Sequence, residues 1–204
     1  SQQLAGERGQ PSSSATPSPS ASSDAPAGPS LPALDPPVLA PVENGEAFGI
    51  MFVPRFGENS QRQIAGGVGT DVLNSTRLGV GHYPDTAMPG AVGNFALASH
   101  RSAYGGGMHK IDQLRLGDAI YIQTADGWYT YRFRNLEYVT ADQIDVLNAV
   151  PQSEAEAAGS RIITLTSCNP LYSTAERIIA YGVLEAFQPS EAGAPAEIAS
   201  QVAA

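Results

Sequence analysis

One cysteine occurs in 204 residues. An internal disulfide is thereby excluded, leaving Cys168 as a small buried hydrophobe, half of an intermolecular bridge, or a nucleophile. Excess positive charge is also missing. The 11 basic and 20 acidic residues give a formal charge of −9, which argues against partners whose phosphates or anionic headgroups need neutralising, so no nucleic acid is expected. No apolar run is long enough to span a bilayer as a helix. The chain opens on Ser1 rather than Met, as a processed form would, so any leader or anchor ahead of it would be out of view. Apolar residues make up 42%, a low share for a chain that is all core and surface, so part of it is expected to lie outside a domain.

That part is residues 1–44. They are dominated by Pro, Ser and Ala, with little apolar surface to offset the entropy of ordering, and read as a disordered or loosely docked stalk. From Ala47 the texture changes. Ala47-Phe48-Gly49-Ile50-Met51-Phe52-Val53 suits a pleated, half-buried surface, and Pro54 closes it. Glycines punctuate 66–81 and leave room for one short helix near 71–74. Residues 82–90 hold two prolines and a glycine and read as a loop. A strand over 94–100 places Phe95, Leu97 and Ser99 on one face and Asn94, Ala96, Ala98 and His100 on the other, so it ends on an imidazole.

Met108, Ile111 and Leu114 follow helical spacing over 108–116, with Gly117 as the stop. Strands at 118–124 and 128–138 flank Asp126-Gly127, a strong hairpin signal. In the second strand Tyr129, Tyr131 and Phe133 alternate with Thr130, Arg132 and Arg134, giving one aromatic and one polar face. A short helix is expected over 141–150, a solvated loop over 152–160, and a strand from Arg161 to the thiol. A last strand surrounds 178–181. The predicted fold is mostly β, a small barrel or sandwich over 45–188 with few helices, flanked by the 1–44 stalk and a 189–204 tail.

A thiol attacks as the thiolate, which needs a nearby cation or histidine. If 169–175 is a connecting loop, Cys168 and Arg177 stand on adjacent antiparallel strands and can face one side. His100 also ends a strand. Lone cysteines are more often structural, so these residues alone leave both readings open.

Thr164-Leu165-Thr166-Ser167-Cys168, followed by Arg177 and preceded by a strand ending in His100, resembles the signature of the sortases, extracytoplasmic cysteine transpeptidases of Gram-positive bacteria. Gly81-His82-Tyr83-Pro84-Asp85-Thr86-Ala87-Met88-Pro89-Gly90 and Gly93-Asn94-Phe95-Ala96-Leu97-Ala98-Ser99-His100-Arg101 are similar to class E sortases of actinobacteria, and the likeness runs over 47–187. The resemblance implies a closed sortase-type β-barrel with a few short helices and no cofactor. It implies Cys168 as nucleophile, His100 as general acid/base and Arg177 as stabiliser of substrate and oxyanion. Tyr83, Thr166 and Ser167 are implied on the substrate side, Tyr83 favouring LAXTG over LPXTG signals. The implied partners are surface proteins with a C-terminal sorting signal, cleaved between Thr and Gly, and an acceptor amine from a peptidoglycan precursor or pilin. An extracytoplasmic, monomeric catalytic domain follows, with its membrane anchor outside this chain.

Ser167 departs from the family's second threonine, keeping the hydroxyl and losing a methyl, and Ser99 stands where class E commonly has glycine. His82 and His109 are expected in loops or on the surface. Glu58, Asp71, Asp85 and Asp112 do not cluster, so no metal is expected. Residues 31–38 are a candidate lid over the groove: Leu-Pro-Ala-Leu resembles a sorting signal, and Asp35-Pro36 matches the start of the lid motif of pilin-building sortases. The rival reading is a non-enzymatic cell-wall β-module with a structural cysteine. An L,D-transpeptidase is disfavoured because no histidine precedes Cys168 in a Ser-His-Gly-Cys pattern.

Overall fold

Alternation of inward apolar and outward residues runs along eight strands, and closing them into a barrel removes every exposed sheet edge. The computed structural model describes residues 34–155 and 159–202. In chain order the strands are β1 (Ala47–Phe52), β2 (Arg62–Gly66), β3 (Gly79–His82), β4 (Gly93–Ser99), β5 (Ala119–Thr124), β6 (Gly127–Thr140), β7 (Arg161–Asn169) and β8 (Glu176–Pro189). Around the barrel they run β1-β2-β3-β4-β7-β8-β6-β5, with β5 returning to β1. Two neighbours are parallel, β2 with β3 and β4 with β7.

The barrel interior is filled by Met51, Ile64, Phe95, Leu97, Ile120, Tyr129, Tyr131, Ile163, Leu165 and Ile178, all fully buried. The aromatic face expected on β6 is therefore the inner one, while Arg134 on the alternate face is exposed. Thr124 pairs with Gly127, so the hairpin turns on Ala125 and Asp126, one residue earlier than expected. Gly127 has φ +146° and backs closely onto Gln188 and Pro189, which leaves no room for a side chain.

Helices are scarce. One turn, α1 (Thr70–Leu73), lies where glycine spacing left room for it. The helical spacing over 108–116 and the helix expected over 141–150 yield only short 3-10 turns at Ile111–Gln113 and Ile144–Leu147. Met108, Ile111 and Leu114 still bury their side chains in the core. Their periodicity reflects one-sided burial of a loop.

The described parts of both expected flanking segments pack against the barrel. The first 33 residues of the expected stalk lie outside the described residues, but from Leu34 the chain is docked. Leu34 packs against the core, Pro36 is buried, Asp35 pairs with Arg161 at 3.6 Å, and the Tyr129 hydroxyl donates to the Pro37 carbonyl. At the other end, the expected tail folds back through α2 (Ala199–Val202) and the turn before it. Ile198 is fully buried against Phe52, Ala119, Tyr121 and Trp128. These outward apolar groups of β1, β5 and β6 need a cover, and the C-terminal segment supplies it.

Candidate active site

The β4/β7 ladder brings the candidate groups together. Ala98 pairs with Thr166 in parallel register, so two residues further on, on the same outer face, His100 and Cys168 stand side by side. Cys168 in turn pairs directly with Arg177 across the β7/β8 hairpin, where facing Cβ atoms are about 5 Å apart. His100, Cys168 and Arg177 line one cleft of about 270 Å³, with Val68, Leu73 and Tyr83 among its other walls. From β4 the small side chains of Ala98 and Ser99 border it. Two larger hollows, about 660 and 510 Å³, contain neither histidine nor cysteine.

Each group is held by its neighbours. His100 Nε2 lies 2.6 Å from Asn74 Oδ1, and its ring lies against that of Tyr104, tilted by 34° with centroids 5.3 Å apart. Cys168 is partly exposed and free. Arg177 donates to the carbonyls of Thr174 and Glu176 at 3.1 and 3.0 Å, and no ion pair to it is found among the described residues. Arg101, only 6% exposed, ties the end of β4 to the end of β7. Its guanidinium donates to Asn169 Oδ1 at 2.8 Å and pairs with Asp112 at 3.1 Å.

The three residues expected on the substrate side, Tyr83, Thr166 and Ser167, all border this cleft, but their hydroxyls are engaged differently. Tyr83 reaches the cleft, and its hydroxyl lies 3.0 Å from Thr166 Oγ1. Thr166 donates its own proton to the Leu97 carbonyl, so Tyr83 donates to Thr166. Thr166, though buried, borders the cleft and holds Tyr83 there. Ser167 does not present its hydroxyl outward: it is 3% exposed and donates to the Ser99 carbonyl at 2.7 Å, on the face opposite Cys168. Ser99, the other departure, donates to the Gly79 carbonyl.

His109 is exposed as expected, but His82 is not a surface histidine. It ends β3 at 3% exposure, its ring against Phe48 and Phe95, and Nε2 donates to the Ala87 carbonyl at 2.9 Å. Burial pushes its pKa below the ordinary value, keeping it neutral beneath the loop that carries Tyr83. Of the candidate lid, residues 31–33 lie outside the described residues. Its described part, 34–38, docks beside Arg161, where the β4/β7 ladder begins, about 20 Å along β7 from Cys168. Among the described residues no group of three or more His, Cys, Asp or Glu side chains is placed to hold a metal.

Asn74, Tyr104 and Arg101 join the site without having been expected there. Arg101 carries a signal in the sequence, as the residue after His100. Asn74 carries none, lying 26 residues from His100 on another element.

The closed eight-stranded barrel thus gathers a thiol, an imidazole and a guanidinium at one end of a parallel strand pair. The Sortase domain family matches residues 51–185, and the chain belongs to the sortase family. Sortase SrtE1 of Streptomyces coelicolor is 32% identical over 164 residues, covering 78% of this chain and 46% of that protein. The chain spans about half the length of the class E curated relatives it matches. Among solved structures, the SrtA sortase from Actinomyces oris superposes with TM-score 0.74 at 35% identity, over 79% of this chain and 92% of that one. Sortase E1 from Streptomyces coelicolor, solved with a tripeptide in the active site, gives 0.68 at 32% identity, over 76% and 97%.

Proposed function

We propose that this chain is the catalytic domain of a class E sortase that cleaves an LAXTG- or LPXTG-like signal between Thr and Gly and transfers the acyl group to a cell-wall amine. The observation that carries the reading is the alignment of His100, Cys168 and Arg177 on one outer face of β4, β7 and β8, lining one cleft. Cys168 attacks the threonine carbonyl as the thiolate, forming a thioester and expelling the glycine amine. The imidazolium of His100 protonates that leaving amine, and the neutral ring later takes a proton from the incoming amine. Arg177 offers aligned donors to the substrate and to the oxyanion as it forms.

Tyr83 is the proposed recognition residue. Because its proton is engaged by Thr166, its oxygen is left to accept from a peptide N–H. Thr166 supports this contact, and Ser167 contributes through its backbone and packing. In the proposed setting the domain works outside the cytoplasmic membrane as a monomer, tethered by a segment beyond this chain. Its partners are surface proteins with a sorting signal and an amine from a peptidoglycan precursor or pilin.

The test is mass spectrometry of the protein after incubation with LAXTG and LPXTG peptides. The expected result is a thioacyl adduct on Cys168, more abundant with LAXTG. Failure to acylate Cys168 with either peptide would remove the reading in favour of a structural cysteine.

A further inference from the structure

We propose that Asn74 is a positioning residue for His100: its side-chain carbonyl keeps a proton on Nε2 through the whole cycle, so that Nδ1 alone exchanges protons with substrate. The inference rests on the reading of His100 as acid/base. It starts from one contact, the 2.6 Å approach of His100 Nε2 to Asn74 Oδ1. A carbonyl oxygen only accepts, so the ring must donate through Nε2. The imidazolium and the Nε2–H neutral tautomer both make this bond, and the Nδ1–H tautomer loses it. Nδ1 is thereby left as the nitrogen that gives its proton to the departing glycine amine and recovers one from the incoming amine. The ring alternates between two states that share the same Nε2–H.

Asn74 is itself firmly placed. It caps the C-terminus of α1, where its backbone N–H donates to the Thr70 carbonyl. Val72, fully buried with Ala65 and Leu78, pins α1 to the outer surface of β2 and β3. Gly81 allows this approach, because a Cβ there would meet the Gly67 carbonyl and crowd Leu73. The asparagine therefore sits on a short, well-seated element rather than on a free loop.

Tyr104 restrains the same imidazole through its face. Its ring lies 5.3 Å away at a tilt of 34°, although the residue is 57% exposed and its backbone has φ +48°. A non-glycine residue held in the left-handed region carries a conformational cost, and such residues gather where surrounding structure needs them. The loop is secured from behind by Arg62, which donates to the Gly105 carbonyl at 3.0 Å. An edge acceptor and a tilted neighbouring ring together limit rotation of the His100 ring, the same logic by which a third group orients the histidine of a nucleophile–base pair.

The experiment compares wild type with Asn74→Ala and Asn74→Asp, using nitrogen-15 NMR of the histidine rings and steady-state transpeptidation. His100 is assigned by the signal missing in His100→Ala. In wild type the neutral ring is expected to show a protonated Nε2 and a bare Nδ1. In Asn74→Ala the two nitrogens are expected to average, with kcat falling about 10- to 100-fold and KM staying within about twofold. Asn74→Asp, which also accepts a hydrogen bond, is expected to restore the nitrogen pattern and most of kcat. Unchanged ring shifts in Asn74→Ala, or a loss no different in Asn74→Asp, would overturn the role of Asn74. Retention of kcat by His100→Ala would instead overturn the acid/base reading beneath it.

Discussion

The two ends of the β4/β7 strand pair are built from the same ladder and used in opposite ways. Where the pair begins, polar groups are answered from within the protein. Tyr131, fully buried, accepts from the Gly90 N–H at 2.7 Å, Arg161 donates to the Gly90 carbonyl, and residues 34–37 lie across the opening. Where it ends, the side chains look outward. Cys168 is partly exposed, Arg177 leans on local carbonyls, and Tyr104 and Tyr172 stand 57% and 81% exposed on the loops that follow β4 and β7. Covering one end stabilises the barrel, and leaving the other uncovered keeps groups available to a ligand.

If this division is right, substitutions at one end should change activity and at the other stability. The largest effect is expected from Cys168→Ala. Transpeptidation should fall by more than about a thousandfold, while the melting temperature moves little, because the side chain is partly exposed. Loss of folding with the thiol would make it a core residue and erase the contrast.

Next comes Tyr131→Phe at the covered end. Removing the hydroxyl leaves the Gly90 N–H without its acceptor in a buried site, at a cost of about 1–3 kcal/mol. Chemical denaturation should report that loss, with kcat/KM per folded molecule unchanged. A fall in kcat/KM larger than about twofold would show the ends to be coupled.

The smallest effect belongs to a site at neither end, the surface pair of Arg55 and Asp118, with oxygens 2.8 and 2.9 Å from the guanidinium nitrogens. The hydrogen bond from Arg55 holds the Asp118 carboxyl below the usual carboxylate value. A depressed folded-state pKa gives a contribution that is full above the unfolded value, near 3.8, and is lost as pH falls through the folded one. Asp118→Asn should therefore lower the melting temperature slightly at pH 7 and not at all at the most acid pH where the protein remains folded. A difference between the variants that persists there would mean the side chain acts through packing instead.

Much of the candidate site is legible in the amino-acid sequence alone. The facing of Cys168 and Arg177 follows from a short loop between two β-rich runs, and the delivery of His100 to a strand end follows from alternation along 94–100. His82 departs from its expected surface position because the prolines and glycine after it mark a loop and hide its burial. The aromatic rings that bury it come from Phe48 and Phe95, which are far away or on another strand. Thr166 and Ser167 illustrate a finer limit. They are adjacent hydroxyls in one motif, yet one supports Tyr83 outside the barrel and the other bonds inward to Ser99. Period-two alternation separates their faces, but which face is the cleft depends on where β4 lies.

What the sequence by itself determined is therefore the local part: six of the eight strands, all but β2 and β3, with the hairpin, the thiol at a strand end and the family likeness carried by contiguous motifs. Each of these depends on residues within a few positions of one another, where backbone geometry enforces a short period. Only the tertiary structure decided that residues 34–37 close the end away from Cys168, that Ile198 covers an outer apolar patch, and that Asn74 meets His100. Those contacts join segments far apart in the chain, and they arise because buried apolar surface and unpaired polar groups must each find a partner wherever the closed barrel brings one within reach.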